Sequence, residues 1–316
     1  MNYGALARTT TPTLMRSWRI FLQAGGLWLE RNAFVHAGSL AFYTLFSLAP
    51  VVIIAVAIAG AVFGDEAARG QIVTQLEGFV GSGAARAVEE AVARSRPEVA
   101  GLLPTVTGIL ALVLGATTVF AQMQISLNRI WGVASRPQKS GIPALVKNRL
   151  VSLAIILAIG FVLLVSLLLT VALRAVLHYA EGWVPIPPLV LTLTELVLSL
   201  VLITSLFAII FKVLPDAVVD WRDVWTGAAI TAALFVIGRY VIAFYLAYTA
   251  PASIYGAAGS LVLLLLWVYY SSLILFFGAA LTKARVLSSG RPIVPRATAV
   301  LVKEEIVEDE PVPEAG

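Results

Sequence analysis

Six long apolar stretches, separated by segments that carry most of the charge, set the pattern of this chain. A membrane-spanning helix needs about 20 mostly apolar residues, because it rises about 1.5 Å per residue and must cross about 30 Å of hydrocarbon. The period-two alternation of a transmembrane barrel strand is missing. We therefore predict an all-α, polytopic membrane protein. Its six transmembrane helices are expected at 34–63, 102–121, 150–177, 189–211, 224–247 and 259–281.

The segments outside these helices predict three further features. Between Leu14 and Leu29, apolar residues recur at helical spacing with arginines turned away, which indicates an amphipathic helix on the inner membrane surface. Residues 65–100 have the same periodicity and predict an outer helical hairpin, either a lid on the bundle or a gate. The domains are then an N-terminal segment (1–33), a transmembrane domain (34–285) and a disordered acidic tail (286–316).

The distribution of basic residues predicts the orientation. Hydrophobic residues make up 59% of the chain and charged residues 13%, and 16 of the 22 lysines and arginines lie on one side of the predicted helices. The basic side is expected to be cytoplasmic, so both termini lie in the cytoplasm. The basic residues form no stripe interleaved with exposed aromatic residues, and we expect no nucleic-acid partner. The chain has no cysteine and begins unlike a signal peptide, so the first span is expected to direct insertion.

Polar residues follow one face of the first predicted span. Burying them against lipid is costly, so they are expected to face protein or water. Two interpretations stay open, a hydrogen-bonded seam between helices and a polar pathway. Pro50 makes this long span bend or break. The stripe consists of His36, Ser39, Tyr43 and Ser47.

A second polar cluster is predicted in the outer half of the membrane. Glu195 lies about 9 Å from the outer end of the fourth span and Arg239 about 13 Å from that of the fifth. The similar depths suggest that they pair, and Arg174 lies near enough to join them. The cluster is either a structural salt bridge or a site for an anionic head group, which suits the planar fork of arginine.

Two other groups of residues in the spans have alternative interpretations. The hydroxyl groups of residues 269–272 line a transport route or hold helices together, and Tyr269 and Ser272 are candidate site residues. Small residues in the fifth span form a surface for helix association and a possible homo-oligomer. They are Gly227, Ala228, Thr231 and Ala232.

The sequence offers little for catalysis. It lacks a P-loop, a nucleophile elbow and a zincin motif, so we predict no enzyme activity, no cofactor and no metal. Asp216, Asp220 and Asp223 are close together, but Lys212 and Arg222 beside them indicate a solvated, ion-paired loop.

Four motifs together give a resemblance to a known family. They are HAGSLAFYTLFSLAP (36–50), QMQISLNRIWGV (122–133), WRDVWTGA (221–228) and YGAAGSLVLLLLWVYYSSLILFFGAALT (255–282). In this order they resemble the YihY/virulence factor BrkB family of bacterial inner-membrane proteins, once labelled ribonuclease BN. Relatives commonly carry an acidic residue at the end of the last span, where this chain has Ala280.

The resemblance and the buried polar residues together predict a multi-pass protein of the bacterial inner membrane. The leading hypothesis is a transporter or lipid-handling protein, without an ATPase, for an amphipathic or anionic envelope component. The alternative is a scaffold that recruits envelope proteins, and a ribonuclease or other hydrolase is the least favoured interpretation. Membrane lipids are the expected partners.

Overall fold

The computed structural model describes residues 13–47, 102–136, 188–249 and 259–302. These ranges are mostly helical, in agreement with the predicted fold class. They contain helices α1 (Thr13–Glu30), α2 (Ala33–Ser47), α3 (Leu102–Trp131), α4 (Pro188–Val213), α5 (Trp221–Thr249) and α6 (Gly259–Ser288). They also contain four short strands that the all-α prediction missed, β1 (Val133–Ser135), β2 (Ala217–Val218), β3 (Val294–Pro295) and β4 (Ala299–Leu301).

Helices occupy the predicted spans wherever the structure describes them. Among the described residues, Leu196–Val213 and Leu261–Ser288 are long and apolar enough to cross a membrane, and Ala33–Ser47 is a shorter apolar helix. Helix α3 continues ten residues past the predicted end of the second span. The third span with Arg174, the hairpin at 65–100 and Pro50 lie outside the described residues.

Helix α6 is the centre of the packing and contacts α1, α3 and α5. The amphipathic segment does form a helix, α1, and its inner face meets α6. The indole Nε1 of Trp28 donates to the carbonyl of Leu273 at 3.1 Å, and the Phe21 and Phe277 rings meet edge to face at 5.1 Å. A tight turn then leads into α2. Its Asn32 has a φ of 53°, a left-handed conformation that asparagine tolerates better than most residues.

Helices α5 and α6 pack closely through two reciprocal glycine–threonine contacts. A Cβ on Gly227 would overlap Thr282 Oγ1, and one on Gly278 would overlap Thr231 Oγ1. Each threonine hydroxyl donates to the glycine carbonyl four residues earlier in its own helix, at 2.7 and 2.8 Å. The prediction that this small-residue surface mediates helix association is confirmed for Gly227 and Thr231, which contact α6 of the same chain.

The first part of the predicted tail is folded, which corrects the prediction that 286–316 is disordered. Helix α6 ends at Ser288. Gly290, two residues later, has a φ of 72°, the left-handed conformation that commonly caps a helix. The chain then turns back, so that β3 pairs antiparallel with β2 and β4 with β1. Backbone pairing and two arginines hold this part in place, which composition alone did not indicate. Residues 303–316 lie outside the described residues.

Candidate functional site

The ends of α3, α4, α5 and α6 meet in a compact structure that we call the junction. It comprises the last two turns of α3 with β1, the connection 214–220, and residues 285–302. Backbone bonds join its parts, since Arg296 N donates to Asp216 O, Arg136 N to Thr298 O and Val302 N to Gly132 O, all at 2.8 or 2.9 Å. The junction therefore ties the connection between α4 and α5 to the end of α3 through the C-terminal segment.

A buried aspartate lies at the centre of the junction. Asp216 is 8% exposed, and one carboxylate oxygen accepts from Asn128 Nδ2 and Ser135 Oγ, both at 2.8 Å. The other oxygen accepts from Gln124 Nε2 at 3.3 Å, and Asn128 Oδ1 in return accepts from Asp216 N at 2.8 Å. Asp216 is therefore held by neutral donors of α3 and β1. The prediction that it belongs to a solvated, ion-paired loop is wrong.

The other two aspartates do form ion pairs, but with partners from the C-terminal segment. Arg291 donates from Nη1 to Asp220 Oδ2 at 2.7 Å and from Nη2 to Asp223 Oδ2 at 2.6 Å. Arg285 lies 3.7 Å from the second oxygen of Asp223. The hydrogen bond to Asp223 raises the pKa of the Arg291 guanidinium, and the charges of both aspartates add to this effect. Arg291 thereby fixes the start of α5.

Two lysines cap backbone carbonyls at the edge of the junction. Lys212 Nζ donates to Val219 O and lies 5.6 Å from the centre of the Trp221 ring. Lys283 is only 6% exposed, and its Nζ donates at 2.8 Å to Ile130 O in the last turn of α3. A cation is favoured there because the last carbonyls of a helix carry partial negative charge. Sequence reasoning missed this role of Lys283.

One member of the predicted stripe on α2 reaches a neighbouring helix. His36 Nδ1 lies 3.3 Å from Ser126 Oγ of α3, and the His36 ring lies 6.4 Å from that of Phe276 of α6. The Ser126 hydroxyl also lies in hydrogen-bonding range of Gln122 O, at 2.9 Å. His36 thus joins α2, α3 and α6.

The other stripe residues turn back on their own helix or outward. Ser39 Oγ donates to Val35 O at 3.0 Å, and Ser47 Oγ donates to Tyr43 O at 2.9 Å. Tyr43 is 37% exposed. The structure therefore does not bring the four side chains of the stripe together.

The candidates on α6 are partly engaged in packing. Tyr269 packs against the hydrophobic core, and the Ser272 hydroxyl donates to Val268 O of its own helix at 2.6 Å. Ser271 Oγ is buried and has no hydrogen-bond partner among the described residues. Ala280, at the position where the family resemblance implied an acidic residue, is fully buried. The side chains of Glu195 and Arg239 lie outside the described residues, although α4 and α5 contain their positions.

The junction holds helix ends together through its polar side chains. Its carboxylates accept from amides, a hydroxyl and guanidinium groups. In the described ranges, no three His, Cys, Asp or Glu residues lie close enough together to bind a metal ion. Sequence reasoning missed Gln124, Ser126 and Asn128 as polar partners. Their signal was available, since Gln124 and Asn128 are four residues apart on a helix that is otherwise largely apolar.

Comparison with known proteins decides the family. The model of the family described as virulence factor BrkB matches residues 27–297, from the end of α1 to the strands of the junction. The chain belongs to the virulence factor BrkB family. This confirms the resemblance noted in the sequence, and the BrkB match includes every residue of the Asp216 and Arg291 contacts. No solved structure matches the chain.

Relatives of this BrkB protein are named membrane proteins. A UPF0761 membrane protein of Alteromonas mediterranea is 29% identical over 262 residues, which cover 80% of this chain and 83% of the relative. One from Mannheimia succiniciproducens is 27% identical and is covered to 86%. Other relatives are longer, and this chain spans only about half of their length. The match covers 54% of the protein from Ralstonia nicotianae and 41% of the protein from Alcanivorax borkumensis. The names of these relatives and the apolar helices together indicate that this chain is a membrane protein.

Proposed function

We propose that this protein handles an anionic, amphipathic component of the bacterial envelope. It binds the head group between helices near Arg239 and lets the molecule pass through or along the bundle without ATP hydrolysis. The observation that supports this proposal is the register of α4 against α5, that is, which positions of the two helices lie level with each other. This register argues against a simple salt bridge between Arg239 and Glu195.

The register follows from described aromatic contacts. A short connection joins α4 and α5, which makes them antiparallel neighbours, and the Phe207 and Phe235 rings meet at 5.8 Å. Position 239 is one turn beyond Phe235 on the same side of α5, so it is level with position 203 of α4. Position 195 is eight residues further along α4, or about 12 Å. Positions 239 and 195 are therefore not level with each other on the two helices.

An arginine at this depth needs a partner. Leaving a guanidinium unpaired in the membrane costs at least about 2.5 kcal/mol on insertion scales. A phosphate or carboxylate head group satisfies a guanidinium with two parallel hydrogen bonds. The helix register thus supports ligand binding over a purely structural pair, with Arg174 as a further member of the site and Tyr269 and Ser272 near the route.

The engaged carboxylates of the junction argue against the hydrolase alternative. A metal-dependent nuclease needs carboxylates free to hold metal ions about 4 Å apart. Asp216 instead accepts three hydrogen bonds from neutral groups, and Asp220 and Asp223 share Arg291. A non-enzymatic membrane role therefore fits the junction better than hydrolysis.

The proposal includes an orientation in the bacterial inner membrane. Six spans with both termini in the cytoplasm place the basic junction inside the cell. On α1, Met15, Trp18 and Leu22 are 56–61% exposed, and Arg16 and Arg19 between them are exposed as well. Exposed aromatic and basic residues on one helix suit the surface of an anionic inner leaflet.

A structure of the protein in nanodiscs of its native lipids tests the proposal. We expect density for a lipid or other anionic head group against Arg239, and its loss in Arg239→Ala. Arg239→Lys, which keeps the charge but not the two parallel hydrogen bonds, serves as the matched control and is expected to retain weaker density. A dry bundle in which protein groups satisfy Arg239 would instead favour the envelope scaffold.

A further inference from the structure

Two exposed tryptophans lie at the start of α5. Trp221 is 48% exposed and Trp225 is 45% exposed. They are four residues apart, so they lie on the same face of the helix, about one turn from each other. Within the ranges that the structure describes, neither indole Nε1 donates a hydrogen bond to another residue. Large parts of both indoles thus remain open to a partner outside the chain.

Two cations accompany these tryptophans. Lys212 Nζ, in the last turn of α4, lies 5.6 Å from the centre of the Trp221 ring and donates to Val219 O. Arg222 follows Trp221 and is exposed. The sequence suggested Arg222 as an ion-pair partner of the nearby aspartates, but its guanidinium forms no hydrogen bond or ion pair with any residue of the described ranges. Its charge is therefore available to an anion from outside the protein.

The surrounding charges favour such an anion. Arg291 already engages both Asp220 and Asp223. Residues 212–225 and 285–302 together hold five cations but three carboxylates. A positive excess thus surrounds the start of α5. The five cations are Lys212, Arg222, Arg285, Arg291 and Arg296.

This face of α5 lies where a membrane surface is expected. The segment Leu196–Val213 is long and apolar enough to cross a membrane, and α5 returns antiparallel to it after a short connection. The end of α4 and the start of α5 are therefore expected at the same membrane surface. Tryptophan is enriched at that level because its ring is apolar and its N–H is polar. Basic residues there attract the anionic lipids of the adjoining leaflet.

We propose that Trp221, Arg222 and Trp225 form a binding site for an anionic phospholipid of the adjoining leaflet. The Arg222 guanidinium donates to the phosphate, the two indole N–H groups donate to the oxygens of the head group and the esters, and Lys212 adds positive charge. Ala229, one turn beyond Trp225, is exposed and leaves room for an acyl chain along α5. The site belongs to the junction end of α5, and it holds whether or not the protein transports lipid.

Native mass spectrometry of the full-length protein tests the site, with phosphatidylglycerol and phosphatidylcholine as probes. We expect the wild-type protein to retain phosphatidylglycerol in preference to phosphatidylcholine. Arg222→Gln is expected to weaken phosphatidylglycerol binding about fivefold, the effect of losing one basic residue at an anionic membrane surface. Because Arg222 is exposed, its replacement is expected to leave the Tm within about 1 °C.

Arg136→Gln is the matched control. It removes another exposed arginine, next to β1, that has no exposed tryptophan beside it in the sequence. Phosphatidylglycerol binding is expected to stay at the wild-type level in this variant. Equal retention of the two lipids by the wild-type protein, or equal effects of Arg136→Gln and Arg222→Gln, overturns the proposal.

A photoactivatable phosphatidylglycerol locates the bound lipid. With a diazirine at the head-group end of its acyl chain, we expect it to label the peptide that contains residues 221–229 in the reconstituted wild-type protein. Phosphatidylcholine with the same group is expected to label that peptide less, and Arg222→Gln is expected to reduce the label from phosphatidylglycerol. Equal labelling by the two lipids, or labelling confined to other peptides, contradicts the proposed site.

Discussion

Asp216 is the residue on which three parts of the junction depend. Its carboxylate accepts from Gln124, Asn128 and Ser135, and its backbone bonds to Asn128 and Arg296. Replacing it by alanine leaves buried donors without an acceptor, and a hydrogen bond to a charged group contributes about 1.5–3 kcal/mol. We expect Asp216→Ala to lower the free energy of unfolding by about 3 kcal/mol or more, measured by thermal unfolding in detergent.

Asp220 provides the control for this prediction. It lies four residues away, its side chain is 69% exposed, and it shares Arg291 with Asp223. Asp220→Ala is expected to change the Tm little, because exposed ion pairs contribute little to stability. If the two variants lowered the Tm equally, the buried carboxylate of Asp216 would contribute no more to stability than the exposed one of Asp220.

The spacing of the aspartates indicated a cluster but not the different environments of its members. The spacings of four and three that separate Asp216, Asp220 and Asp223 fit a single loop, and Lys212 nearby suggested ion pairs. Whether a carboxylate is buried depends on what packs over it, here the segment that returns after Gly290. In that return, β3 pairs with β2 and β4 pairs with β1. These strands are only two or three residues long, so they leave no periodic pattern in the sequence.

At the scale of elements, α5 and α6 approach each other so closely at two glycines that neither site has room for a Cβ. A Cβ on Gly278 would meet Thr231 Oγ1 and lie 2.8 Å from Phe211 Cζ, neither of which can move without disturbing the core. We expect Gly278→Ala to destabilise the protein by about 1–3 kcal/mol, a usual range for overpacking. The measurement is the Tm in detergent.

Gly38 is a matched control on another helix. It is exposed on α2, and a Cβ there would meet no atom within 4 Å. Gly38→Ala is expected to leave the Tm unchanged or raise it, since alanine favours a helix over glycine by about 1 kcal/mol. A drop as large as that of Gly278→Ala would argue against close packing as the cause.

Helices were predictable from the sequence, whereas their partners were not. Long apolar runs require helices in lipid, and α4, α5 and α6 lie where those runs are. The small residues of α5 correctly indicated a close helix contact. Gly278 and Thr282 repeat this spacing on α6, but the sequence could not show that they receive α5 within one chain. The register of Phe207 on Phe235 was likewise not visible in the sequence.

At the scale of the whole molecule, the junction and the membrane helices have separate tasks. The junction holds the ends of α3 to α6 together with hydrogen bonds and ion pairs that engage its carboxylates. The proposed ligand site lies away from the junction, around Arg239 of α5. At the neighbouring position, Gly238 packs against Tyr270 of α6. The junction lies at one end of the described helices, and the anionic head group is proposed to bind nearer the other end.

Lipid transfer between leaflets tests the proposed function most directly. The protein is reconstituted in liposomes with fluorescent phosphatidylglycerol, and dithionite bleaching reports how fast label from the inner leaflet reaches the outer one. We expect the wild-type protein to accelerate transfer over protein-free liposomes, Arg239→Lys to keep much of the activity, and Arg239→Ala to lose at least about tenfold, equivalent to 1.4 kcal/mol. Wild-type rates equal to those of empty liposomes would contradict the account.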